Sequence, residues 1–216
     1  MKAIVLGGTG LIGGELIQQL MDENIYSEIH VIGRSATNHT CSKIFFHQVD
    51  MNEISKHADL FNADVVFCCL GTTIKTAGSK EAFRQVDYDM VVNSAKASEN
   101  KVKHFLMVSS LGANAKTSNF YLKTKGETEE GVMSTNIPNV TIVRPSMLFG
   151  NRKEKRTGEK IGIVFMKITE PIMLGGLKKY RGIEASKVAK AMIKLSMDVN
   201  SGKRIYESQH LEEIGK

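Results

Sequence analysis

Lys2-Ala-Ile-Val-Leu6, followed at once by Gly7-Gly8-Thr9-Gly10-Leu11-Ile12-Gly13-Gly14, decides how this chain reads. A short apolar run ends on a glycine-punctuated turn. Leu11, Ile12, Leu16, Ile17, Leu20 and Met21 then recur at helical spacing. A strand, a glycine turn and a helix start make a site for a dinucleotide pyrophosphate. Gly7 permits the tight turn, Gly10 has no side chain where backbone must approach phosphate, and Gly13 lets the helix close on the strand. The helix N-terminus adds unpaired N–H groups and the positive end of its dipole. The spacing is G-x-x-G-x-x-G rather than G-x-G-x-x-G, and a purely structural βα turn is the competing reading of the motif alone.

Outward from this turn the pattern alternates. Short apolar runs predict strands over 28–32, 44–49, 63–70, 102–109 and 140–144, and helical patterns lie over 11–21, 80–98 and 120–133. Continuous apolar strands are those of a parallel sheet covered on both faces. The expected fold class is therefore α/β, a Rossmann-type doubly wound parallel sheet with right-handed crossovers and a small C-terminal appendage on the substrate side. The whole of 1–216 reads as one domain, with 151–183 as the substrate-side insertion. Within it, 151–160 is a polar, basic loop, and 161–174 is an apolar helix that Pro171 bends or ends. A helix over 185–197, entered near Glu184 or Ser186, and a last strand over 204–207 complete the chain.

Composition narrows the function. No apolar run is long enough to span a bilayer, and the chain enters its first strand too early for a secretory leader. Three cysteines (Cys41, Cys68, Cys69) give no even framework and predict thiols packed in a reducing cytosol, hence a cytoplasmic location. The histidines at 30, 39, 47, 57, 104 and 210 lack metal-ligand spacing, so no metal is expected. A formal charge of +6 suits an anionic cofactor, a polyanion or solubility alike. The basic clusters 152–156 and 178–181 read as solvated loops, and nucleic acid is disfavoured because no aromatic-interleaved stripe or reading helix accompanies them.

Ligands of such sheets bind beyond the carboxyl ends of the strands. After the second strand stand Arg34 and Ser35, with no acidic residue to grip a ribose 2′-hydroxyl. A guanidinium suits a 2′-phosphate in charge and geometry, which favours NADP(H) over NAD(H); a solvated turn is the competing reading of Arg34. Asp50 either accepts from the adenine amino group or caps a helix at Met51-Asn52-Glu53. Leu70-Gly71-Thr72-Thr73 either lets the cofactor lie against backbone or is a structural turn.

The fifth strand ends in Val108-Ser109-Ser110-Leu111-Gly112, and Tyr121-Leu122-Lys123-Thr124-Lys125 follows. Tyr121 and Lys125, four apart, share one helix face, where an ammonium stabilises phenolate over phenol. With a serine hydroxyl holding a carbonyl oxygen, these groups would protonate the alkoxide that hydride addition creates, or deprotonate an alcohol in reverse.

These motifs resemble the short-chain dehydrogenase/reductase superfamily, whose extended and atypical members use the G-x-x-G-x-x-G spacing. Cys69-Leu-Gly-Thr-Thr73, Ala77-Gly-Ser-Lys-Glu-Ala-Phe83, Val108-Ser-Ser-Leu-Gly-Ala113, Ser118-Asn-Phe-Tyr-Leu122, Lys125-Gly-Glu127, Arg144-Pro145 and Tyr180-Arg-Gly-Ile-Glu184 resemble, more narrowly, the small atypical branch of Tat-interacting-protein-like oxidoreductases. The resemblance implies Tyr121 as proton donor or acceptor, and Lys125 as its partner that also binds the nicotinamide ribose. Ser110 is the matching serine, with Ser109 the near alternative. It implies cofactor contacts at Thr9, Gly10, Leu11, Ile12, Arg34, Leu70 and Gly71, with Leu148 and Arg156 on the loop after the sixth strand. The usual Asn-Asn-Ala-Gly element is replaced by Cys68-Cys69-Leu70-Gly71, and the catalytic asparagine has no secure counterpart. Asn93 lies in the right helix but fits an ordinary polar position equally well.

The expected function is an NADPH-dependent oxidoreductase acting on a small carbonyl or alcohol. The alternative is an NADP(H)-binding sensor, or a regulatory protein with a protein partner and little turnover. Met147, Met166 and Met173, among eleven methionines, read either as an adaptable pocket lining or as core filling.

Overall fold

In the computed structural model, which describes residues 1–150, 181–198 and 202–216, the strands are β1 (Lys2–Leu6), β2 (Glu28–Gly33), β3 (Ile44–Gln48), β4 (Val65–Cys68), β5 (His104–Val108), β6 (Asn139–Arg144), β7 (Leu148–Phe149), β8 (Ile183–Glu184) and β9 (Lys203–Glu207). Seven of them form one sheet in the order β3-β2-β1-β4-β5-β6-β9, every neighbouring pair parallel. β7 and β8 make a separate short pair. The strand order reverses between β1 and β4, which opens a crevice beyond their carboxyl ends.

Alternation along β1 sends side chains to two cores. Ala3 and Val5 pack with Leu16, Ile17 and Leu20 of α1 (Leu11–Asp22) and with Val188 and Met192 of α6 (Ala185–Ser196). Ile4 and Leu6 face the other way. They pack with Met51, Ile54 and Phe61 of a kinked 3-10 segment (Met51–Phe61), with Val91 and Ala95 of α4 (Met90–Ser98), and with Val132 of α5 (Phe120–Met133). Two covered faces are what parallel strands require, so the Rossmann-type doubly wound sheet stands. Among the described residues no helix is long and apolar enough to cross a membrane.

Several features differ from the sequence expectations, among them the β7–β8 pair, which puts Leu148 in a strand where a loop is expected. The helical pattern over 80–98 is α3 (Lys80–Arg84), a π-helical turn (Gln85–Asp89) and α4 in succession. Ser79 starts it by accepting the Ala82 N–H at 3.1 Å. Short α2 (Ile74–Ala77) and C-terminal α7 (Ser208–Ile214) carry too few apolar repeats to announce themselves. The insertion over 151–183 lies outside the described residues up to 180, and with it Arg156, Met166, Pro171 and Met173. Met147 is exposed.

Candidate active site

The glycine turn is built for backbone contact. Gly7 has φ +77°, and a methyl group there would lie 2.6 Å from the Cys69 carbonyl oxygen. A methyl on Gly13 would lie 2.2 Å from the Gly7 carbonyl oxygen, so only hydrogen fits where α1 leaves the turn. The Gly10 N–H closes the turn on Gly7 O at 3.0 Å. α1 has no side-chain cap and no acidic residue in its first turn, so its leading N–H groups are left for an anion. Thr9 and Gly10 are exposed and Leu11 half-buried, whereas Ile12 packs in the core. A cradle that side chains would fill, at an uncapped helix start, fits a dinucleotide pyrophosphate.

The other strand ends contribute unequally. Arg34 and Ser35, just past β2, are exposed, and Arg34 makes no ion pair among the described residues. Asp50 caps the 3-10 segment, its Oδ1 accepting from Asn52 N at 3.0 Å and Asn52 Nδ2 at 2.9 Å. Leu70 and Gly71 leave β4 beside the glycine turn, and Leu148 lies half-buried in β7.

α5 carries Tyr121 and Lys125. Asn119 caps it, accepting the Leu122 N–H at 3.1 Å, so the helix phase around Tyr121 is set from its first residue. Gly126 brings α5 against the loop after β5: a methyl there would lie 2.2 Å from Ala115 N. The half-buried Tyr121 ring packs on Phe83, centroids 5.5 Å apart. One turn on, Lys125 is buried with its Nζ 2.7 Å from Asp87 Oδ1. Burial is the largest single influence and opposes the Lys125 ammonium, but the Asp87 carboxylate, Tyr121 and Cys68 together outweigh it, and the net pKa lies above the ordinary lysine value.

The two strand-end serines separate. Ser109 is buried, and its hydroxyl donates to Glu129 Oε1 at 2.5 Å. Arg144 forks onto the same carboxylate, Nε to Oε1 at 2.9 Å and Nη2 to Oε2 at 2.5 Å. Ser110 is the half-exposed neighbour, its hydroxyl near only Leu111 O at 3.4 Å. Of the two, it is Ser110 whose hydroxyl is not already committed to a buried network.

Sequence reasoning missed Asp87. It is fully buried in the π-helical turn, and its Oδ2 accepts the Thr72 N–H at 2.8 Å. The available signal was its place on the apolar stripe of Phe83 and Val91, four residues either side. Asn93 is half-buried on α4, and no hydrogen bond joins it to Lys125 or Tyr121.

Thiols and histidines stand apart from this centre. Burial pushes the Cys68 thiol up to about 12 and raises Cys69 as well, so neither is poised as a nucleophile. His30 Nδ1 lies 2.7 Å from His47 Nε2, too close to admit a metal ion between them. Among the described residues no group of three His, Cys, Asp or Glu is placed to hold a metal.

Residues 7–197 match a family model described as NAD(P)H-binding. Protein FMP52, mitochondrial, of Candida albicans is 33% identical over 200 residues, covering 89% of this chain and 86% of that protein. Protein HTATIP2 of Rattus norvegicus is 30% identical over 221 residues, covering 100% and 89%. A short chain dehydrogenase family protein from Francisella tularensis shares the fold, with a TM-score of 0.70 at 16% identity and coverage of 97% and 98%. The family match supports a nicotinamide dinucleotide as the cofactor. The mitochondrial name of the Candida protein overturns the expected cytoplasmic location. Unpaired thiols indicate a reducing environment and do not choose among reducing compartments.

Proposed function

This chain belongs to the NAD(P)H-binding family, in the atypical short-chain dehydrogenase/reductase branch beside the HTATIP2 and FMP52 proteins, and from that premise we propose an NADPH-dependent oxidoreductase that reduces a small carbonyl compound. One observation carries the proposal: Tyr121 and a buried, carboxylate-paired Lys125 share a face of α5 at the carboxyl side of the sheet.

When bound, the nicotinamide supplies the hydride. The chain's own residues position the carbonyl and move the proton. The Ser110 hydroxyl donates to the carbonyl oxygen and holds it. The Tyr121 hydroxyl gives its proton to that oxygen as negative charge develops there. Lys125 presents a fixed positive charge beside Tyr121 and donates to the nicotinamide ribose. At the far end of the crevice the Arg34 guanidinium pairs with the 2′-phosphate, Ser35 adding a hydroxyl. The exposure of Arg34 and its lack of an ion-pair partner among the described residues support this preference for NADPH.

Tyr121→Phe is expected to lower turnover by about 10²- to 10⁴-fold while leaving NADPH affinity unchanged, read by NADPH consumption and fluorescence titration. Undiminished turnover would remove Tyr121 from the role. Arg34→Ala is expected to weaken NADPH by about tenfold or more with little effect on NADH, as loss of a charge-assisted hydrogen bond requires. Tight NADPH binding by the wild type, with no consumption across aldehydes, ketones and quinones, would favour a nucleotide sensor instead.

A further inference from the structure

Asp87 is a carboxylate with no exposed surface, inside an otherwise apolar helix face, and the reduction described above gives it no task. Burying a charge in this way is costly unless it is paired. Its pairing is specific. Oδ2 takes the Thr72 N–H at 2.8 Å, from the turn that follows β4. Oδ1 lies 2.7 Å from Lys125 Nζ but makes no well-aligned hydrogen bond. A methyl on the exposed Gly71 would lie 3.4 Å from that oxygen and 3.6 Å from Lys125 Nζ, so the Gly71 backbone runs directly beside the ion pair. The backbone is pinned too: the Thr128 hydroxyl of α5 lies 2.8 Å from the Asp87 carbonyl oxygen. The π-helical turn is a local departure from α-geometry of the kind found at functional sites.

We propose that Asp87 is a positioning residue, clamping the Lys125 ammonium of α5 to the Leu70-Gly71-Thr72 turn so that the proton-handling pair and the cofactor-contacting backbone are held as one unit. The role rests on the reading of Tyr121 and Lys125 given above. Where the usual asparagine has no secure counterpart, Asp87 gives Lys125 a fixed countercharge.

Asp87→Asn preserves shape and an acceptor for Thr72 but removes that charge. The groups then facing Lys125 are Tyr121 from its own helix and Cys68 from β4. Burial prevails, and Lys125 gives up its proton at lower pH than in the wild type. Two readouts follow. The basic limb of kcat for carbonyl reduction is expected to move down by more than about one pH unit, with a smaller change in the KM for NADPH. In the cofactor-free protein, urea denaturation should show wild-type stability falling above about pH 8, because the buried Cys68 and Cys69 thiols keep protons that the unfolded chain releases. In the variant Lys125 adds the opposite slope, its folded form binding fewer protons than the unfolded one, so the stability gap between the two proteins should narrow from about pH 7 to 10. Asp87→Glu should restore both behaviours in part. A constant stability gap with an unmoved basic limb would overturn the proposal and leave Asp87 a structural residue. The denaturation series decides this without turnover, so failure of the oxidoreductase reading is separately visible. Should Asp87→Asn fail to fold, the double variant with Lys125→Met decides. Recovered folding supports the clamp, and continued failure overturns it.

Discussion

Lys125 and Glu129 stand one turn apart on α5, both buried, and each meets an opposite charge from another element. Glu129 is saturated: Arg144 of β6 forks onto both oxygens and Ser109 adds a third hydrogen bond. Lys125 meets Asp87 alone, without a well-aligned hydrogen bond and with no second hydrogen-bonding partner among the described residues. Desolvation is comparable at the two sites, but forked charge-assisted bonds offset far more of it at Glu129. The saturated cluster ties β5, α5 and β6 together. The open one lies beside the Gly71 backbone and keeps donors in reserve. Charges on one helix thus divide between a saturated anchor and a pair with hydrogen-bonding capacity to spare, the state that the proposed role of Lys125 requires.

The contrast breaks first at Glu129. Glu129→Gln leaves Arg144 only the 4.0 Å contact with Glu207 and should cost about 3 kcal/mol in urea denaturation, with unchanged NADPH affinity in the folded fraction. A loss below about 1 kcal/mol would mean that the cluster is no anchor. Next comes the double variant Asp87→Asn with Lys125→Met, which removes both charges of the open pair. It should recover at least about half of the stability lost by Asp87→Asn alone, yet show no carbonyl reduction. Strictly additive losses would deny the coupling. The smallest effect is expected at Gly71→Ala. Its contacts of 3.4 and 3.6 Å are ordinary, so stability should stay within about 0.5 kcal/mol of wild type. NADPH binding should weaken by roughly fivefold, near 1 kcal/mol, as the methyl group intrudes on the crevice. Unchanged affinity would place the cofactor away from this turn.

Much of the site was legible in one dimension because it obeys local periodicities. Glycine spacing marks a close backbone approach, and four-residue spacing puts Tyr121 and Lys125 on one face. Asp50 offered two readings, and the structure displays the cap, with Asn52 on its Oδ1. Ser109 and Ser110 were indistinguishable by position. They diverge because consecutive residues leaving a strand face opposite ways, Ser109 towards Glu129 and Ser110 to a half-exposed position. Asp87 was passed over because an isolated acid in a helical pattern ordinarily points to water. Only its stripe position between Phe83 and Val91 hinted otherwise.

By itself the sequence determined the alternation of strands and helices, the glycine cradle after β1 and the Tyr121–Lys125 face, since each depends on residues within a turn or two of one another. The partner of Lys125, the commitment of Ser109 and the joining of β5, α5 and β6 through Glu129 were decided only by the tertiary structure. A buried charge's surroundings come from segments that are neighbours in space alone. Asp87 reaches Thr72 and Lys125 because β4, the π-helical turn and α5 converge at one end of the sheet.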